Sequence, residues 1–158
     1  MVIQRIIQKH TQLLTMTGGG NCELLLSELA DYAIKQGLAK PGFTESLLER
    51  EQNFPTGIQA ASGIAIPHSE QEFTIKPALI IAVLDQGTWF HPMGGGKDVL
   101  VETIFLLLLE QAEQQVEMLS NIVSFIQDKE KLKALRSKED AFSTVTSFEK
   151  FFTSDKAG

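Results

Sequence analysis

Two uninterrupted apolar runs, residues 78–84 and 104–109, most limit what this chain can fold into. Each is far short of the ~20 residues that span a bilayer as a helix. Each has strand length, yet neither alternates apolar with polar residues. A strand that is apolar on both sides must be covered on both faces, which calls for helices above and below one sheet.

The flanking segments supply those helices. Leu25, Leu26, Leu29, Ala30, Ala33 and Ile34 recur at helical spacing across residues 22–36, with Asn21 as N-cap and Gly37 as terminator. A second helix is predicted over residues 45–53, capped by Thr44 and presenting Leu47, Leu48 and Glu51. Val116, Leu119, Ile122, Val123 and Ile126 mark a helix over residues 112–127. A short one follows at Leu132 and Leu135, and a last one begins at Ser137. Further strands are read at residues 12–16, at residues 58–66 with a kink at Gly63, and as a short piece at Trp89-Phe90. The strongest strand is residues 99–109. Residues 1–11 are ambiguous. The expected fold is α/β, a single mixed β-sheet sandwiched by helices, in one domain over residues 1–158 whose last few residues form a disordered tail.

The residue inventory removes several functions. One cysteine, Cys22, cannot close an internal disulfide. Three histidines without Cys-x-x-Cys or His-x-x-x-His spacing make a metal site unexpected. A net charge of −6 with no basic cluster argues against nucleic acid. No leader or spanning segment is apparent, so the chain reads as cytoplasmic and not membrane-inserted. Two glycine runs invite nucleotide-binding readings that fail on inspection. Before Gly96-Lys97 a phosphate-binding loop would need glycine at His91 and a hydroxyl residue at Asp98. Gly18-Gly19-Gly20 would need its further glycine at Glu23. Both are loops, and no cofactor is expected.

Among candidate reactive groups, Cys22 lies at a helix start but has no neighbouring base in sequence. His10 and His91 read as bystanders. His68 stands apart, because the apolar stretch Gly63-Ile64-Ala65-Ile66 delivers it and Pro67 then ends ladder pairing. That places the imidazole at a sheet edge or carboxyl end, where open α/β sheets form ligand crevices. With an unperturbed pKa near 6.5, roughly three-quarters of such imidazoles are neutral and nucleophilic at pH 7. A histidine that simply ends a strand is the plain alternative, and these features alone leave it open.

The segment Arg50-Glu51, Phe54-Pro55-Thr56-Gly57-Ile58 and Gly63-Ile64-Ala65-Ile66-Pro67-His68 resembles the IIA component of the bacterial sugar phosphotransferase system, fructose–mannitol superfamily. The likeness extends through Met93-Gly94, the strand at 99–109 and the following helix. The Phe-Pro-Thr-Gly wording and Gln114-Gln115-Val116 look most like the galactitol-type branch. The resemblance implies an IIA-mannitol-like fold and a phosphotransferase relay. In that relay His68 takes a phosphoryl group from HPr and hands it to a cysteine of a IIB partner, which serves a IIC permease. It further implies that Arg50 stabilises the phosphate, with Thr56 and Gln115 in support. Many relatives carry a second histidine where this chain has Gln115, and Ser69 stands where glycine, alanine or cysteine is common. The sequence leaves the sugar unspecified. Its second reading is a nitrogen-type regulatory phosphoprotein, and its third is a binding domain with a degenerate site.

Overall fold

The computed structural model describes residues 2–153, and the expected tail lies outside the described residues. The elements run β1 (Val2–Ile7), β2 (Thr11–Met16), α1 (Cys22–Lys35), α2 (Phe43–Asn53), β3 (Gly57–Gln59), β4 (Gly63–Ala65), β5 (Ala78–Phe90), β6 (Val99–Leu108), α3 (Ala112–Ile126), α4 (Lys129–Ala134) and α5 (Lys138–Thr153). A single 3-10 turn, Gln71–Phe73, precedes β5. The strands form one six-stranded sheet in the order β1-β2-β5-β6-β4-β3. β2 pairs parallel with β5 and β4 parallel with β6, while the other three pairings are antiparallel, so the sheet is mixed.

The two apolar runs form the central strands β5 and β6, and their side chains alternate between two cores. Ile80, Ala82, Leu84, Ile104, Leu106 and Leu108 pack toward α1 and α2. Leu79, Ile81, Val83, Phe105 and Leu107 pack toward α3 and α5. The period of two thus persists in a run without polar residues, because both faces are covered. On the second face Phe105 meets Phe125 and Phe148, with ring centroids 6.1 and 6.2 Å apart.

Asn21 caps α1 as predicted, its Oδ1 accepting from the N–H groups of Glu23 (2.7 Å) and Leu24 (3.1 Å). Three local expectations need correction. Thr44 is not a cap: Gly42, at φ +97°, starts α2 two residues earlier, and the Thr44 hydroxyl donates to Asp31 Oδ1 at 2.6 Å. Trp89-Phe90 is not a separate strand but the far end of β5, whose register against β6 shifts between Val83 and Thr88. Residues 58–66 are not one kinked strand. The chain reverses after Gln59, Ala60 N–H donates to the Ser62 carbonyl, and β3 and β4 pair antiparallel. Gly63 sits at this reversal for a steric reason, since a Cβ there would lie 1.9 Å from the Leu100 carbonyl oxygen. β1, ambiguous in sequence, is the edge strand beside β2.

Candidate functional site

β4 and β6 run parallel, so their carboxyl ends reach the same side of the sheet. Just beyond β4, Pro67 accepts a hydrogen bond from Leu107 N–H (3.2 Å), and His68 forms an isolated parallel bridge with Leu107. His68 is therefore held past the carboxyl end of β4, the place its sequence context indicated. Its Nδ1 lies 3.0 Å from the Ile66 carbonyl oxygen. A carbonyl only accepts, so Nδ1 carries the proton and the Nε2 lone pair is left free. Burial pushes the His68 pKa below its ordinary 6.5; the Ile66 bond opposes that shift, and the nearby Arg50 charge adds to it. The net shift favours the neutral ring at neutral pH.

Arg50 lies in the last turn of α2 and is 37% exposed in its side chain, with Nη1 3.7 Å from Glu70 Oε2. Its guanidinium carbon stands 4.8 Å above the centre of the Phe54 ring, which holds the fork flat while leaving hydrogens available. Its Nε is buried and, among the described residues, has no hydrogen-bond partner. A planar cation with uncommitted donors suits the oxygens of a phosphoryl group.

Thr56 is placed differently from a phosphate ligand. It is buried, and both its donors engage the Glu51 carboxylate: N–H to Oε2 at 2.8 Å and Oγ1 to Oε1 at 2.9 Å. The same hydroxyl oxygen accepts from Ile66 N–H at 3.2 Å. The sequence marked Glu51 only as an inward position of α2, and its partnership with Thr56 was missed. A carboxylate facing inward five residues before a Thr-Gly turn was the available signal. Ser69 is also anchored, since its hydroxyl and that of Ser46 on α2 are hydrogen-bonded to each other. Gln115 lies in the first turn of α3, after the carboxyl end of β6, and among the described residues its amide makes no hydrogen bond to His68.

The remaining sequence candidates sit elsewhere. His10 stacks on Phe152 with centroids 5.1 Å apart and donates from Nδ1 to the Pro77 carbonyl. His91 pairs with Asp98 at 3.0 Å. Cys22 is half-buried, and burial together with Glu51 and Glu23 raises its thiol pKa, which makes it a poorer nucleophile. Among the described residues no three His, Cys, Asp or Glu side chains gather as metal ligands would, and no helix is long and apolar enough to cross a membrane.

Residues 6–147 match the family described as phosphoenolpyruvate-dependent sugar phosphotransferase system, EIIA 2. The chain belongs to this EIIA 2 family. Galactitol-specific EIIA components of Escherichia coli K12 and O157:H7 are similar at 27% identity over 96 residues, 60% of this chain and 64% of theirs. The aligned part thus spans less than two-thirds of those EIIA relatives. Among solved structures, IIA mannitol of E. coli superposes with a TM-score of 0.68 at 17% identity, covering 83% of this chain and 94% of that one. In the complex of IIA mannitol with phosphorylated IIB mannitol from E. coli, the match has a TM-score of 0.70 at 16% identity, covering 85% and 93%. The nitrogen regulatory protein IIA-Ntr of Neisseria meningitidis gives 0.62 at 20%, covering 84% and 92%. These likenesses establish that this EIIA chain has the IIA-mannitol-like fold.

Proposed function

We propose that this EIIA domain relays a phosphoryl group through Nε2 of His68, from phospho-HPr to a cysteine of a IIB partner. The observation that carries the reading is the Ile66 carbonyl on Nδ1, which puts the proton of the neutral ring there and its lone pair on Nε2. In the first step that lone pair attacks the phosphorus of the donor's phosphohistidine. A new N–P bond forms as the donor's N–P bond breaks, and the departing donor imidazole keeps the bonding electron pair. Positive charge developing on the His68 ring is stabilised at Nδ1–H by the Ile66 oxygen. Arg50 offsets charge on the phosphoryl oxygens, the main demand of such a transfer. In the second step a IIB thiolate attacks the same phosphorus, the S–P bond forms, the Nε2–P bond breaks, and the neutral Nδ1–H ring returns.

Both partners must reach His68 in turn, so the covering surface should be shallow and partly apolar. Phe54, 61% exposed and stacked under Arg50, supplies apolar rim. The similarity to galactitol-specific EIIA components supports a polyol or related sugar as the cargo of the system. The transported molecule itself would contact the permease and not this domain. The relay is tested by phosphorylating the protein with phosphoenolpyruvate, enzyme I and HPr, then adding a galactitol-type IIB. Transfer of label to IIB supports the relay; label that stays on this protein with every IIB supplied contradicts it.

A further inference from the structure

A carboxylate at Glu51 is costly where it stands. It is only 8% exposed and lies in the last turns of α2, the negative end of the helix dipole. Burial raises its pKa, against two hydrogen bonds from Thr56 that favour the charged form. Groups held at such cost usually fix a geometry that the rest of the molecule needs.

From the connectivity, and resting on the relay reading, we infer that Glu51 and Thr56 form a strut that positions His68 and sets Arg50 against it. Glu51 accepts from both donors of Thr56, so Thr56 Oγ1 has spent its single hydrogen and presents only lone pairs to Ile66 N–H. Ile66 then offers its carbonyl to His68 Nδ1. The polarity is consistent at each link: carboxylate, hydroxyl, backbone N–H, and backbone carbonyl to ring N–H. Arg50 precedes Glu51 on the same helical turn, so one frame ties the guanidinium's helix to the imidazole's strand end. Thr56 and Glu51 are positioning residues. Thr56 is buried and its hydroxyl is committed, so it does not touch the phosphoryl group.

The test uses single-turnover transfer from phospho-HPr together with nitrogen-15 NMR of the imidazole. Thr56→Ser keeps the hydroxyl and should transfer within about twofold of the parent. Thr56→Val removes it and should slow transfer by about tenfold or more with HPr affinity unchanged, as misplacement of a reacting group does. The His68 ring of Thr56→Val should also lose its single Nδ1–H tautomer. Should that variant fail to fold, Glu51→Gln decides. It offers one acceptor oxygen in place of two and should slow transfer at least about threefold, again without weakening HPr binding. A folded Thr56→Val, or failing that Glu51→Gln, with parental rate and tautomer overturns the strut. Parent protein that never accepts phosphate from HPr would overturn the relay reading instead, so the two failures are distinguishable.

Discussion

Nδ1 of His68 lies 3.0 Å from the carbonyl oxygen of Ile66, and that single bond selects which ring nitrogen can react. In the proposed relay, the residue two positions earlier in the chain thereby leaves Nε2 as the attacking nitrogen. The backbone around Pro67 makes this geometry local and repeatable, since proline removes a competing N–H.

The imidazole should titrate below its ordinary 6.5, because burial and Arg50 both disfavour the charged ring. Its folded pKa being depressed, the ring contributes stability that is present above pH ~6.5 and lost as pH falls through the lower folded value. NMR titration of His68 is expected to show a midpoint under 6.5 and the Nδ1–H tautomer above it. A midpoint at or above 6.5 would contradict the assigned environment.

Arg50→Lys keeps the charge but loses the planar fork and its packing on Phe54. Transfer from phospho-HPr should slow by about tenfold, the equivalent of ~1.4 kcal/mol, with a smaller change in HPr affinity. Stopped-flow transfer and calorimetric binding separate the two effects. Equal losses in both would make Arg50 a docking residue.

Gly63→Ala should fail to pair β4 with β6, because its Cβ would collide with the Leu100 carbonyl. The expected result is a markedly lowered melting temperature and loss of phosphate acceptance, since His68 follows β4 directly. A variant melting within a degree or two of the parent would show that the backbone at Leu100 gives way instead.

Two stability changes calibrate the fold away from the site. Phe105→Ala empties a fully buried position against Phe125 and Phe148 and should cost about 3–5 kcal/mol in urea unfolding. Asn21→Ala removes the cap of α1 and should cost about 1 kcal/mol.

The layered architecture was legible because residues 78–84 and 104–109 are apolar on both sides, a pattern that only a doubly covered strand satisfies. His68 was singled out by its place after Gly63-Ile64-Ala65-Ile66-Pro67, but that context alone left a plain strand end open, and the structure keeps the chain bonded to β6 past Pro67 through the His68–Leu107 bridge. What the sequence hid depends on contacts made at a distance along the chain. The β3–β4 reversal was read as one strand because Gly63 signals a close approach without saying to what, and the partner is Leu100. Thr44 has the chemistry of a cap, but the positive φ open to Gly42 starts the helix earlier. Thr56 was singled out, yet its role could not be read until Glu51 and Ile66 were seen to meet on its hydroxyl.

Where the phosphoryl group goes decides the proposed relay through His68. Incubated with phosphoenolpyruvate, enzyme I and HPr, the protein should take up one acid-labile, base-stable phosphoryl group. NMR should place it on Nε2 of His68, and His68→Ala should take up none. Undiminished labelling of folded His68→Ala, or phosphate on Nδ1, would contradict it.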